Sequence, residues 1–252
     1  GAAQTVQRPG KVQGWMLDHK GEPRLAWNHE KDTTTLHYRD PATSAWRVLT
    51  TYATYKRGKK AFTPLGFGND GTLYASANAG QDTASVYTVN LADGTLSPNP
   101  VLMTPGYDFT GHLVPNGDKI AGIRVHTDAD AIVWFDPAMK EAQKRLDDAL
   151  PGTVNLLSFP SHNASDRVLV RSFSDVRPTF YSLFNLKTGA VEKVGDAYPD
   201  IEPARMGRQD PVRYKARDGR DIPALLTLPA NGAKNAPLVV MVHGGPYVRG
   251  TH

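Results

Sequence analysis

The chain has 252 residues, of which 40% are hydrophobic and 21% charged, enough apolar material for one large core or two modest ones and far from a disordered composition. Mean hydropathy is −0.43 and no apolar run approaches the roughly 18–20 residues of a membrane span, while a net charge of only +4, with both signs interspersed, argues against a nucleic-acid partner. The lack of cysteine excludes disulfides, a thiolate nucleophile and cysteine-ligated zinc, but leaves both cytoplasm and periplasm open.

Gly1-Ala2-Ala3-Gln4 has neither the basic nor the apolar region of a signal peptide. Beyond it, glycine (23) and proline (19) are spread evenly, as suits many short strands joined by tight turns. Strand-like runs at 13–18, 23–27, 35–39 and 46–49 predict a four-stranded meander. The pattern returns at 64–67, 73–76 and 85–89, again at 109–114, 120–125 and 131–135, and a fourth time at 154–159, 167–172 and 179–184. Turn residues after each third strand (Pro41, Gly94, Pro137, Gly189) are spaced by 53, 43 and 52 residues. A period of about 40–50 residues with four strands per repeat predicts β-propeller blades, with a β-sandwich as the alternative.

The pattern changes after Val194. Residues 196–210 are polar and punctuated by proline, the composition of a linker. Beyond it, 211–216 and 222–228 flank Asp218-Gly219 as a predicted hairpin, and the apolar run 238–242 predicts a central parallel strand buried on both faces. The expected organisation is therefore mainly β: a partial β-propeller of about four four-stranded blades over 1–195, a linker over 196–210, and the first strands of an α/β-hydrolase domain over 211–252.

Directly after the apolar run comes His243-Gly244-Gly245-Pro246. Glycines at the end of such a strand let the backbone approach a bound group, and outward peptide N–H groups can stabilise charge developing on an oxygen. With the hairpin around Asp218-Gly219 and the segment 237–246, residues 212–250 resemble the opening of the catalytic domain of the prolyl oligopeptidase family of serine peptidases, nearest its acylaminoacyl-peptidase branch. That family places a β-propeller before an α/β-hydrolase domain, in the order found here.

The resemblance implies a hydrolase of short peptides using a serine, an aspartate and a histidine without metal or cofactor. It implies that the Gly245 N–H faces the oxyanion, that His243 braces the loop with Gly244, and that Pro246 stiffens its exit. Some branches carry a tyrosine donor where His243 stands, so the donor here would be backbone. No serine has glycine two positions before it, so the Gly-x-Ser-x-Gly elbow is missing and the nucleophile, acid and base are expected outside this chain. The chain is then an internal fragment, inactive alone, whose exposed blade and strand surfaces favour self-association. Its partner in the full enzyme is an oligopeptide. A stand-alone propeller-type binding module and an esterase of the same hydrolase superfamily are the competing functions. The branch is often exported in bacteria.

Other constellations carry less. His19, His29 and His37 lack metal-site spacing, and 126–130 has only half of a calcium loop. The basic run 56–60 is read as solvated, Asn163-Ala164-Ser165 fits a glycosylation acceptor, and Trp15, Trp27, Trp46 and Trp134 are read as packing between blades.

Overall fold

The computed structural model describes residues 5–55, 58–117, 119–160 and 165–242. The chain divides into two compact units, Gly1–Thr127 and Asp128–His252.

The first unit opens with the expected meander. β1 (Gly14–Leu17), β2 (Pro23–Glu30), β3 (Thr33–Arg39) and β4 (Trp46–Ala53) form one antiparallel sheet in chain order. Period-2 alternation makes the sheet two-faced. Leu25 opposes Tyr38 and Trp27 opposes Leu36, a face buried with Leu49 against Phe62, Leu73 and Tyr87. The opposite face carries Trp15, Ala26, His37 and Val48 in register.

β5 (Thr63–Phe67), β6 (Leu73–Ala77) and β7 (Ser85–Val89) make a three-stranded sheet. A fourth strand is reduced to the isolated bridges Val89↔Leu96 and Val86↔Leu102. Pro98 and Pro100 lie between them, and proline has no N–H to give a ladder. β8 (Gly111–Asn116) and β9 (Lys119–His126) pair antiparallel. Ile123 and Val125 share a buried cluster with Val86 and Phe109.

In the second unit β10 (Asp130–Trp134) is followed not by a turn but by the 13-residue helix α1 (Pro137–Ala149). The sequence carries signals for it: Asp136 caps, Pro137 occupies the first turn, and Met139, Ala142 and Leu146 form one buried face. Next come β11 (Val154–Ser158), β12 (Arg167–Ser174), β13 (Arg177–Asn185) and β14 (Val191–Asp196), a four-stranded antiparallel sheet in chain order. Val168 opposes Phe184 and Ser172 opposes Phe180 on its buried face. Buried Asn155 docks the helix on this sheet: its Oδ1 accepts from Ser172 Oγ at 2.7 Å and its Nδ2 donates to Asp147 Oδ1 at 2.9 Å. Gln143 extends the network, donating to the Asn155 carbonyl at 3.0 Å and accepting from Trp134 Nε1 at 3.2 Å.

One turn recurs at the ends of third strands. At Asp40, Asn90 and Asn185 the side-chain oxygen accepts from the N–H two residues on, at 2.9 Å each time. The carbonyl accepts from the N–H four residues on, that of Ser44, Gly94 and Gly189, and all three hold positive φ. Asp136 begins identically, with Ala138 N–H on Oδ1 and Lys140 N–H on its carbonyl. There the turn propagates as helix instead of closing a hairpin, with Pro137 in its first turn and Met139, Ala142 and Leu146 as the face it buries. The four Asx positions are 50, 46 and 49 residues apart, a more even period than that of the turn residues after them.

Two expectations are corrected. Residues 238–242 form no strand and pair with none among the described residues. They are exposed, Val242 to 91%, because a central parallel strand exists only when neighbours satisfy its N–H and C=O groups and helices cover it. Trp15 is also not between sheets: it is 39% exposed and meets Trp46 edge-to-face at 5.6 Å, since its register puts it opposite the buried face. Trp27 does pack against the first core, and buried Trp134 meets Phe159 edge-to-face at 5.9 Å.

Candidate active-site loop and a polar cleft

The expected oxyanion residues, His243, Gly244, Gly245 and Pro246, lie outside the described residues, as do Lys56, Arg57 and Asn163. What the structure does describe is the stretch of chain leading to the loop. β15 (Gln209–Lys215) and β16 (Asp221–Thr227) pair from Gln209↔Thr227 to Lys215↔Asp221. Asp218-Gly219 makes the turn: Gly219 adopts φ 84 and Asp218 Oδ1 accepts from Arg220 N–H at 3.2 Å. At the open end Leu228 N–H donates to the Arg208 carbonyl at 3.0 Å. The Gln209 N–H donates to Asp175 Oδ2 at 2.9 Å, and Asp175 lies in the β12–β13 turn, so this carboxylate hangs the hairpin on the preceding sheet. Beyond Leu228 the chain carries no regular element to Val242.

The first unit contains a polar cleft of about 210 Å³, lined by the β1–β2 turn (Asp18, His19, Lys20), Arg24, Tyr38, Pro41, Phe67 and the β5–β6 turn at Asn69-Asp70-Gly71. The Asp18 carboxylate is fully engaged. Oδ1 accepts from the N–H groups of Lys20 at 2.8 Å and Glu22 at 2.9 Å, and Oδ2 accepts from Arg24 Nε at 2.8 Å. Burial acts to raise its pKa, but the backbone bonds from Glu22 and Lys20 and the Arg24 guanidinium outweigh it and hold the carboxyl below its usual range. Asp70 is also held low, by the N–H and hydroxyl of Thr72. Burial and the Asp40 charge push the Tyr38 phenol up, so it stays a protonated donor at neutral pH. The sequence signal for this cleft was an Asp-x-x-Gly turn with an arginine three residues on; tight turns are common, and only the fold brings the second turn beside the first.

Elsewhere, His29 Nδ1 shares a hydrogen with Thr34 Oγ1 at 2.7 Å, and Thr34 in turn bonds Thr54 Oγ1 at 2.8 Å. Burial lowers the pKa of His37. Among the described residues no three His, Asp or Glu side chains converge on a point where a metal could sit. Asp130, in the stretch that has only half of a calcium loop, is an ion-pair partner of Arg171 at 3.4 Å, and β10 starts at it.

No family model matches the chain. Among curated proteins it is 28% identical over 200 residues to a dipeptidyl aminopeptidase BIII of Pseudoxanthomonas mexicana, an alignment covering 75% of this chain and 28% of that protein. Among solved structures it is similar to a puromycin hydrolase (TM-score 0.54, 18% identity, 88% of this chain and 34% of that one). A prolyl endopeptidase (0.52, 13%, 83% and 30%) and oligopeptidase B of Trypanosoma brucei (0.51, 14%, 86% and 32%) are also similar. At these identities the structural likeness establishes the fold, a set of antiparallel sheets like those of the propeller domains in these proteins. The chain spans under a third of the length of the curated relative.

Proposed function

We propose that the chain belongs to the prolyl oligopeptidase family of serine peptidases, that the whole protein is a serine peptidase hydrolysing short peptides, and that this segment supplies part of its propeller and its oxyanion loop. The observation that carries this is the 28% identity over 200 residues to a dipeptidyl aminopeptidase. That relative's name points to release of dipeptides, rather than of acylated amino acids, as the reaction within the class.

In this reading 1–195 contributes about four blades, 196–210 is the linker and 211–252 opens the hydrolase domain. The backbone N–H of Gly245 donates to the oxyanion as the tetrahedral intermediate forms, while His243, Gly244 and Pro246 hold its peptide plane. Serine, aspartate and histidine come from sequence outside this chain, since Gly-x-Ser-x-Gly does not occur in it. The apolar run 238–242 becomes a central strand once neighbours pair with it, and in their absence its exposure favours self-association. No helix among the described residues is long and apolar enough to cross a membrane.

A fluorophosphonate probe tests the placement of the nucleophile. The full-length protein is expected to label stoichiometrically and the 252-residue chain not at all. In the full-length protein Gly245→Pro removes the donor N–H and should lower turnover roughly 10²–10³-fold. Labelling of the short chain would refute the first assignment, and unchanged turnover in a folded Gly245→Pro variant the second.

A further inference from the structure

The cleft of the first unit has a one-sided hydrogen-bonding balance. Of its two carboxylates, Asp18 accepts from two N–H groups and Arg24 Nε, and Asp70 accepts two bonds from Thr72. Its donors are used less. A guanidinium carries five N–H groups in a planar fork, and Arg24, whose side chain is 13% exposed, uses only Nε among the described residues, leaving both Nη groups unpaired beside the cleft. The Asp18 bond fixes the plane of that fork. Lys20 Nζ and the Tyr38 hydroxyl likewise have no hydrogen-bond partner among the described residues, and Tyr38 is 8% exposed. Phe67 and Pro41 provide apolar wall between the two turns.

We propose that this cleft binds a small carboxylate, with the Arg24 Nη groups, Lys20 Nζ and the Tyr38 hydroxyl as its donors. The guanidinium fork matches a carboxylate in a bidentate pair, Lys20 adds a point charge, and the apolar wall takes a short substituent. At about 210 Å³ the space is below the roughly 300 Å³ at which drug-sized pockets begin, so the ligand is of the size of a single residue bearing its carboxylate, such as the end of a peptide. The site stands independently of the peptidase assignment, because it rests on residues between 18 and 71 alone.

The 252-residue chain is titrated by heteronuclear NMR with N-acetylglycine, with N-acetylglycinamide as the neutral isostere and with inorganic phosphate. Saturable shifts at the amides of 18–24 and 69–71 are expected with the acid only, weakening as sodium chloride is raised. Lys20→Gln, on an exposed turn, should weaken binding roughly tenfold and leave the fold intact, and Arg24→Lys should weaken it more by losing the bidentate pair. Equal shifts with the amide, no shifts with the acid, tighter binding of phosphate than of the acid, or unchanged affinity in Lys20→Gln would each overturn the proposal.

Discussion

The β11–β14 sheet and the stretch 228–242 are both rich in branched apolar residues, yet one is a finished piece of structure and the other is not. In the sheet each strand is followed by its own partner, so hydrogen bonds close locally and only one face needs cover. Val168, Val170, Phe180 and Phe184 fill that face at 2% exposure or less. In 238–242 the apolar residues are continuous rather than alternating, and exposure runs from 74% to 91%. A run built for burial on both faces needs partners on either side at once, and no such strand lies beside it among the described residues. Meander strands are locally self-sufficient; parallel strands depend on distant sequence.

The largest break in this contrast should come from Phe184→Ala in the completed sheet, a loss of roughly 3–5 kcal/mol measured by urea unfolding. A smaller change would mean that the face is less densely filled than its burial implies. An intermediate effect is expected at Asp18, which staples the β1–β2 turn. Asp18→Asn should cost roughly 1–3 kcal/mol at neutral pH, the worth of hydrogen bonds to a charged group. Because the folded-state pKa of Asp18 is depressed, its contribution is present above the unfolded value of about 3.9 and is lost as pH falls through the lower folded value. The gap between variant and parent in unfolding free energy should therefore close on acidification, and a gap constant with pH would deny the carboxylate this role. The smallest effect belongs to Val240→Lys. At 74% exposure the change should stay within about 0.5 kcal/mol, while reducing association in sedimentation; a clear destabilisation would show that 238–242 is packed after all.

Much of the strand content was legible because alternation is a local property. The runs at 23–27, 35–39, 73–76, 85–89 and 167–172 each lie within an observed strand. The helix after Trp134 was not, although Asp136-Pro137 and the apolar spacing of Met139, Ala142 and Leu146 announced it. Its start at Asp136 shares the backbone bond and side-chain cap of the hairpin turns at Asp40, Asn90 and Asn185, so the local signal at the Asx residue is the same for both outcomes. The candidate loop at 243–246 rests on its motif alone, since it lies outside the described residues. The polar cleft could not, since Arg24 and Asp70 are 46 residues apart in sequence and meet only when the first two sheets stack.

By itself the sequence determined the chain's alternating strands, its Asx turns with a spacing near fifty residues and the hairpin around Asp218-Gly219. Each of these rests on interactions between residues close along the chain. Tertiary structure alone decided which tryptophans are covered, that Asn155 and Asp147 lock α1 to its sheet, and that Arg24, Lys20 and Tyr38 line one cleft with the turn at Asp70. Those outcomes depend on which faces meet, which is set by the burial of whole sheets.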